Sequence, residues 1–257
     1  MKWWLLIFSV LFAVKVLAQE RVTTFGVQFK PIVPSNLFDA GSGLLSQNGI
    51  DYTIDQRVGY SFGGVMRFGI TKWLSIESGI SYVRRNFSAS VNHAELGFTD
   101  TTSYRIIGYE IPVSGLVFVQ LSDEIFMNAA FGVALDMFPS DVASGDVDEF
   151  YQLSQRRGFG KENSFFEWTK IGLVANIGFE YRTKESGYFY IGGSYHRPFS
   201  PIYDTQISYT YDNKLDQGVV PITGNYLTID FKYFFHEEPK EKKVERDPET
   251  MPSWMKK

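Results

Sequence analysis

Apolar residues alternate with small or polar ones along most of the chain, and this pattern restricts the fold more than any other feature. From Arg57, one face reads Val58, Tyr60, Phe62, Gly64, Met66, Phe68 and Ile70, against Gly59, Ser61, Gly63, Val65, Arg67 and Gly69 on the other. Successive side chains of a strand point to opposite faces, so a two-residue period marks a strand with one apolar side. The pattern recurs at 74–85, 127–136, 171–182 and 227–235, and adding 25–33, 107–119 and 188–195 makes eight candidate strands. Each runs roughly ten residues or more, long for a soluble strand and suited to a tilted membrane-spanning one. The second face is rich in Gly, Ser, Arg and Glu. It suits the cramped lumen of a small closed barrel whose aromatic face meets lipid. Closure also removes sheet edges, which hydrocarbon does not tolerate.

Composition narrows the classes further. Aromatics at 17% beside 21% charged residues exclude a disordered chain. The absence of cysteine excludes a disulfide framework, a thiolate metal site and a cysteine nucleophile. Lys+Arg numbers 25 against Asp+Glu 29, so no basic excess attracts nucleic acid. Met1 and Lys2 precede an apolar run from Trp3 to Val14, with small residues before Gln19. That is the layout of a secretory signal peptide over 1–18, too short for a spanning helix. The remainder reads as a barrel over 19–235 and a tail over 236–257.

Loop lengths agree with a barrel. Connections near Thr71–Lys72, Ser122–Asp123 and 184–187 are short, whereas those over 35–56, 86–103, 139–165 and 199–224 are long and polar. Outer-membrane barrels alternate short periplasmic turns with long extracellular loops, which places both termini in the periplasm.

The stretch Tyr109-Glu110-Ile111-Pro112-Val113 resembles the Y-x-E-I-P-L fourth-strand hallmark of the PorT-like outer-membrane β-barrel family, and 73–82 resembles that family's third strand. Leu116 stands where family members often carry a lysine, and the chain continues past Phe235, where they tend to end. The resemblance implies an eight-stranded barrel in a bacterial outer membrane. It implies no single activity, since the family includes secretion-machinery components.

Eight charged residues are expected to face the lumen: Arg67, Glu77, Arg85, Glu110, Glu180, Arg182, Asp230 and Lys232. With eight strands there is room only for side chains, so these charges are expected to pair and plug the barrel rather than conduct. Pro112 deletes a ladder hydrogen bond and is expected to mark a bulge or bend. His196, Ser200 and Asp204 are the nearest approach to a nucleophilic triad, with a spacing that carries no geometry. Asp141, Asp146, Asp148 and Glu149 cluster without the spacing of a calcium loop. No catalytic, cofactor or metal site is assigned, and no enzyme is expected.

The tail is polar and punctuated by prolines, so it is expected to be disordered and periplasmic. It ends with Met251, Trp254 and Met255, a composition suited to docking a protein partner. The fold class is thus all-β: an eight-stranded antiparallel transmembrane up-and-down barrel with a C-terminal tail. The function expected is that of a structural or interaction subunit of an outer-membrane complex, secretion or assembly machinery included. Its partners would be outer-membrane lipid and lipopolysaccharide, and a protein bound through the tail or the long loops. A small channel and a lipid-modifying barrel enzyme are the alternatives.

Overall fold

The computed structural model describes residues 23–35, 43–145, 150–157, 165–183, 185–211 and 213–236; within Phe165–Trp168 it describes the side chains of Phe166 and Trp168 only. The expected signal segment and tail residues 237–257 lie outside these. Eight strands close into a ring: β1 (Thr23–Val33), β3 (Ile50–Gly69), β4 (Leu74–His93), β5 (Phe98–Gln120), β6 (Ile125–Met137), β9 (Thr169–Arg182), β10 (Tyr188–Pro198) and β13 (Tyr226–Phe234). Neighbours are antiparallel and follow chain order, and β1 closes the ring by pairing with β13 on one side and β3 on the other. The outward face carries Phe29, Phe62, Ile80, Phe131, Ile177 and Phe231, each about half exposed, while the inward face is polar and buried. Apolar outside and polar inside is the polarity of a barrel immersed in lipid. The fold is an outer-membrane β-barrel.

Tight turns join the strands at one end. Ile70 N–H bonds Leu74 C=O at 2.9 Å, Leu121 bonds Ile125 at 2.9 Å, and Thr183 bonds Gly187 at 3.1 Å. At the distal end the connections expected to be long polar loops are instead largely strand. There lie β2 (Gly43–Gln47), β7 (Val142–Gly145), β8 (Phe150–Arg156), β11 (Tyr203–Tyr211) and β12 (Lys214–Ile222). The turn Asn48–Gly49, with φ of 54° and 77°, joins β2 to β3; such positive angles at both positions are those of the tight hairpin turn that Asn-Gly favours.

Strands β3, β4 and β5 are the longest, at 20, 20 and 23 residues, because they serve both halves of the molecule. Along each the polarity of the faces inverts. In the barrel, β5 points Ile107, Tyr109, Val113 and Val117 outward and buries Glu110 and Ser114; beyond it, Thr99, Thr101, Ser103 and Arg105 point outward while Tyr104 and Ile106 are buried. β4 likewise passes from buried Glu77, Ser81 and Arg85 to buried Phe87, Ala89 and Val91. In β4 and β5 the pleat continues unbroken while the solvent on each side changes; in β3 the inward positions pass from even to odd numbers between Arg57 and Tyr60. The outward apolar run of β5 from Ile107 to Val119 covers roughly 40 Å along the strand, or about 30 Å across a membrane at the usual tilt.

The distal segments of β2–β3–β4–β5 face a second sheet of order β12-β11-β8-β7. One apolar core lies between them, built from Ile50, Tyr52, Ile54, Phe87, Val91 and Ile106 on one side and Phe150, Tyr203, Ile207, Tyr209, Val220 and Ile222 on the other. This is a β-sandwich module, held by burial rather than by loop contacts. A register shift between Arg57 and Tyr60, against β4, sits at the junction. It inserts one extra residue where β3 leaves β1, whose last β3 partner is Gly59. A bulge bends its strand, which re-aims β3 into the module. Pro112 makes no such bulge. The β4–β5 pairs Ser78↔Val113 and Ser81↔Glu110 keep one register across it, with the ladder opened between them where the N–H is missing. The Ser78 hydroxyl donates to the Pro112 carbonyl at 2.8 Å.

Candidate functional site

Among the described residues, the barrel interior holds most of the buried charge, in two layers. Near the turn end, Arg67 is the hub. Its Nη1 lies 2.5 Å from Glu180 Oε2 and its Nη2 3.0 Å from Glu77 Oε2, while the guanidinium covers the Phe234 ring at 3.9 Å. Arg182 Nε donates to the other Glu180 oxygen at 2.6 Å, and Lys232 donates to Glu77. Asp230, fully buried, lies 3.7 Å from Lys30 Nζ and accepts from Asn176, Thr228 and Ser194. Tyr190 donates to Asn176 at 2.6 Å and so joins the layer.

The second layer sits towards the module. Arg85, 1% exposed, lies 3.4 Å from Asp136 and beneath the Tyr226 ring, its carbon 4.8 Å from the centroid. His196 stacks on the same ring at 4.8 Å, with Nε2 2.8 Å from Asp136 and Nδ1 3.1 Å from Glu110. Tyr226 donates its hydroxyl to Glu110.

All eight residues singled out for the lumen lie inside the ring, and the structure assigns their partners. Lys30, Arg67, Arg85, Arg182 and Lys232 face Glu77, Glu110, Asp136, Glu180 and Asp230. Glu110 is met by His196 and Tyr226 rather than by one of these cations, and a sixth cation, buried Lys170, lies inward at the distal end of β9, where it donates to Ser200. Between the layers is a cavity of about 20 Å³, bordered by Lys30, Glu77, Asn176 and Lys232, with room for about one water.

Sequence reasoning missed Lys30, Asp136 and His196 as members of this interior. Each occupies an inward parity position, which was the available signal. His196 does not meet Ser200 and Asp204: Ser200 accepts from Lys170 at 3.0 Å, and Asp204 pairs with Arg157 at 3.2 Å. It converges with Glu110 and Asp136 instead, donor atoms within 4.8 Å of one another. Such a set could hold a small cation, but Arg85 already supplies positive charge there. Asp141 pairs with Arg156 at 3.0 Å, while 146–149 lie outside the described residues, as do Met251, Trp254 and Met255.

No protein-family model matches the chain, and no curated protein matches it in sequence. Solved structures similar to it include outer-membrane β-barrels. The outer membrane protein OprG from Pseudomonas aeruginosa is 14% identical, with a TM-score of 0.49, covering 84% of this chain and 96% of that one. The outer membrane protease OmpT from Escherichia coli is 10% identical with a TM-score of 0.36, covering 85% and 99%. The β domain of the Bordetella autotransporter BrkA is 12% identical with a TM-score of 0.30, covering 85% and 100%. Similarities this remote speak to architecture alone. They do correct one expectation: the chain was placed outside the enzymes, yet a protease stands among the barrels it is similar to, so that exclusion is withdrawn.

Proposed function

We propose that this chain is a non-conducting outer-membrane barrel that carries an ordered interaction module at the cell surface, as a subunit of an outer-membrane complex. The observation that carries the reading is the continuity of β3, β4 and β5 from the lipid-facing ring into a sandwich with its own apolar core. A barrel whose distal segments were plain loops would offer partners no fixed surface. Here three uninterrupted strands transmit the barrel's rigidity to the module. Leu44, Leu215 and Val219 stand exposed on its outside, at 68%, 61% and 54%, where β2 adjoins β12. Such apolar side chains on a polar surface suit protein contact.

In this reading the tight turns and both termini face the periplasm and the module faces outward, as in barrels of this class. The paired interior charges plug the lumen. The tail, through Met251, Trp254 and Met255, docks a periplasmic component. The Tyr109–Val113 stretch, which resembles the PorT-like hallmark, is consistent with a place in secretion or assembly machinery.

The test is a gentle detergent purification from the native membrane, comparing the intact protein with Leu215→Lys/Val219→Lys and with a chain ending at His236. The expected result is a defined set of co-purifying proteins, parts of which each variant loses. A protein that purifies alone and gives steady ohmic steps in planar bilayers would refute both the subunit and the plug.

A further inference from the structure

Three arginines stand where the outer surface changes from apolar to polar. Arg57, Arg84 and Arg105 lie on the adjacent strands β3, β4 and β5, on the outward face. Arg57 and Arg105 are both register partners of Asn86, and Arg84 lies two residues along β4 from it. Strand spacing therefore places the three stems within a patch about 10 Å across. Immediately towards the barrel on the same face, Tyr60, Tyr82 and Tyr109 form a continuous aromatic shelf, with centroids 6.2 Å and 6.1 Å apart. The Arg84 guanidinium lies 5.8 Å from the Tyr60 centroid.

Their surroundings differ from those of the interior cations. None of the three forms an ion pair among the described residues, whereas Lys30, Arg67, Arg85, Arg182 and Lys232 each have a carboxylate. Arg57 Nε donates to the Ser88 hydroxyl and Arg84 Nε to Asn86 Oδ1, both at 3.0 Å and both neutral acceptors. A groove of about 670 Å³ opens beside them, towards residues 140–144. The carboxylate on its wall, Asp141, already accepts from Arg156 N and Nε at 2.8 and 3.0 Å. Asp55 stands two residues from Arg57 on the same face without forming an ion pair among the described residues, so three cations face one nearby free carboxylate and the patch is open and net positive.

We propose that the arginine patch binds the phosphate groups of a phosphorylated glycolipid of the outer leaflet, whose acyl chains lie along the Tyr60–Tyr82–Tyr109 shelf. A guanidinium matches phosphate oxygens with paired hydrogen bonds, and a dianionic group needs more than one cation to neutralise it. Height selects a lipid over other anions. The arginines occupy the first polar rank above the apolar belt, which is the headgroup level, and aromatic rings collect at that interface. Inorganic phosphate carries the same charge but gains nothing from the shelf. This inference rests on the orientation proposed above, with the module outside.

The test uses the full chain folded in a nonionic detergent. Bisphosphorylated lipid A, its dephosphorylated counterpart and inorganic phosphate are the probes, and bound lipid is read by native mass spectrometry. Phosphorylated lipid A should bind, the dephosphorylated form at least tenfold more weakly, and millimolar inorganic phosphate should compete only partly. Arg57→Gln/Arg84→Gln/Arg105→Gln should lose at least tenfold in affinity, about 1.4 kcal/mol. The corresponding triple lysine variant should retain part of it, and Lys72→Gln at the opposite end should match the parent. Heat-modifiable gel mobility checks folding; should the triple variant not fold, Arg105→Gln alone is expected to weaken binding measurably. Binding indifferent to the lipid's phosphates or to these arginines would overturn the proposal, and inorganic phosphate binding as tightly as the lipid would overturn its lipid part. Since the chain has no cysteine, Leu215→Cys labelled by an impermeant maleimide on intact cells reports orientation separately. No labelling would remove the outer leaflet from the proposal, and the detergent result would still decide the arginines.

Discussion

Replacing Arg67 with methionine keeps most of its volume and removes a charge from the hub of the lumen's turn-end layer. The loss is three hydrogen bonds, two to Glu77 and one to Glu180, with the stacking on Phe234. Glu180 would retain Arg182 at 2.6 Å and Glu77 would retain Lys232, so neither carboxylate is left wholly alone. Breaking a buried ion pair from one side typically costs about 3–5 kcal/mol, and these surviving partners place the expectation near 3 kcal/mol. Adding Glu180→Gln removes one carboxylate and restores the balance of charge. The double variant should therefore lose less than the two single variants summed, by about 2 kcal/mol of coupling. Urea titration in phospholipid vesicles, followed by heat-modifiable gel mobility, measures each variant. A loss under about 1 kcal/mol with no coupling would mean that water screens these charges. The interior would then be a solvated path, and the plugged lumen would have to be abandoned.

Further expectations concern other parts of the molecule. Ile54→Ala, in the module core, should cost about 2–5 kcal/mol and speed amide exchange in β8, β11 and β12; equal acceleration in β9 and β10 would show module and barrel to be one cooperative unit. Gly63→Val should abolish the heat-modifiable form, because a Cβ there would stand 2.0 Å from the Ile80 carbonyl oxygen, and normal assembly would disprove that approach. Burial pushes the Tyr104 phenol up to about 12, and burial raises Tyr52 and Tyr203 as well. The neutral phenol is then favoured in the folded module, so its stabilisation is complete below about pH 10 and lost as pH rises towards 12, on the order of 2–3 kcal/mol for Tyr104. Urea midpoints of the module that stay flat between pH 9 and 12 would contradict this. Deleting 237–257 should leave an inserted, heat-modifiable barrel, because β13 already pairs with β1 and β10; failure to insert would give the tail a role in closure.

Parity along a strand is a local property, and it made one half of this molecule legible. Alternation alone places Arg67, Glu77 and Glu180 on one side and Phe62, Ile76 and Phe179 on the other. It also ran on through the segments read as polar loops, where Ile50, Tyr52 and Ile54, or Phe87, Ala89 and Val91, keep the two-residue period. What hid the module is that its outward residues, Asp51, Thr53, Ser90 and Thr101, are polar, and an outer-membrane strand was expected to show lipid an apolar face throughout. Water replaces lipid at Arg57, Arg84 and Arg105, so the chemical signs of in and out reverse, while in β4 and β5 the geometry does not and in β3 a bulge shifts the parity by one residue. Partnership was beyond reach for a different reason. Arg67 meets Glu180 across 113 positions of chain, and His196 meets Asp136 across 60. Parity says that both members of such a pair face inward. Their height in the lumen is set by the stagger of each strand against the next, accumulated around the ring. Stagger is fixed only when β1 meets both β3 and β13, so which charges pair is a consequence of closure and is written in no single strand.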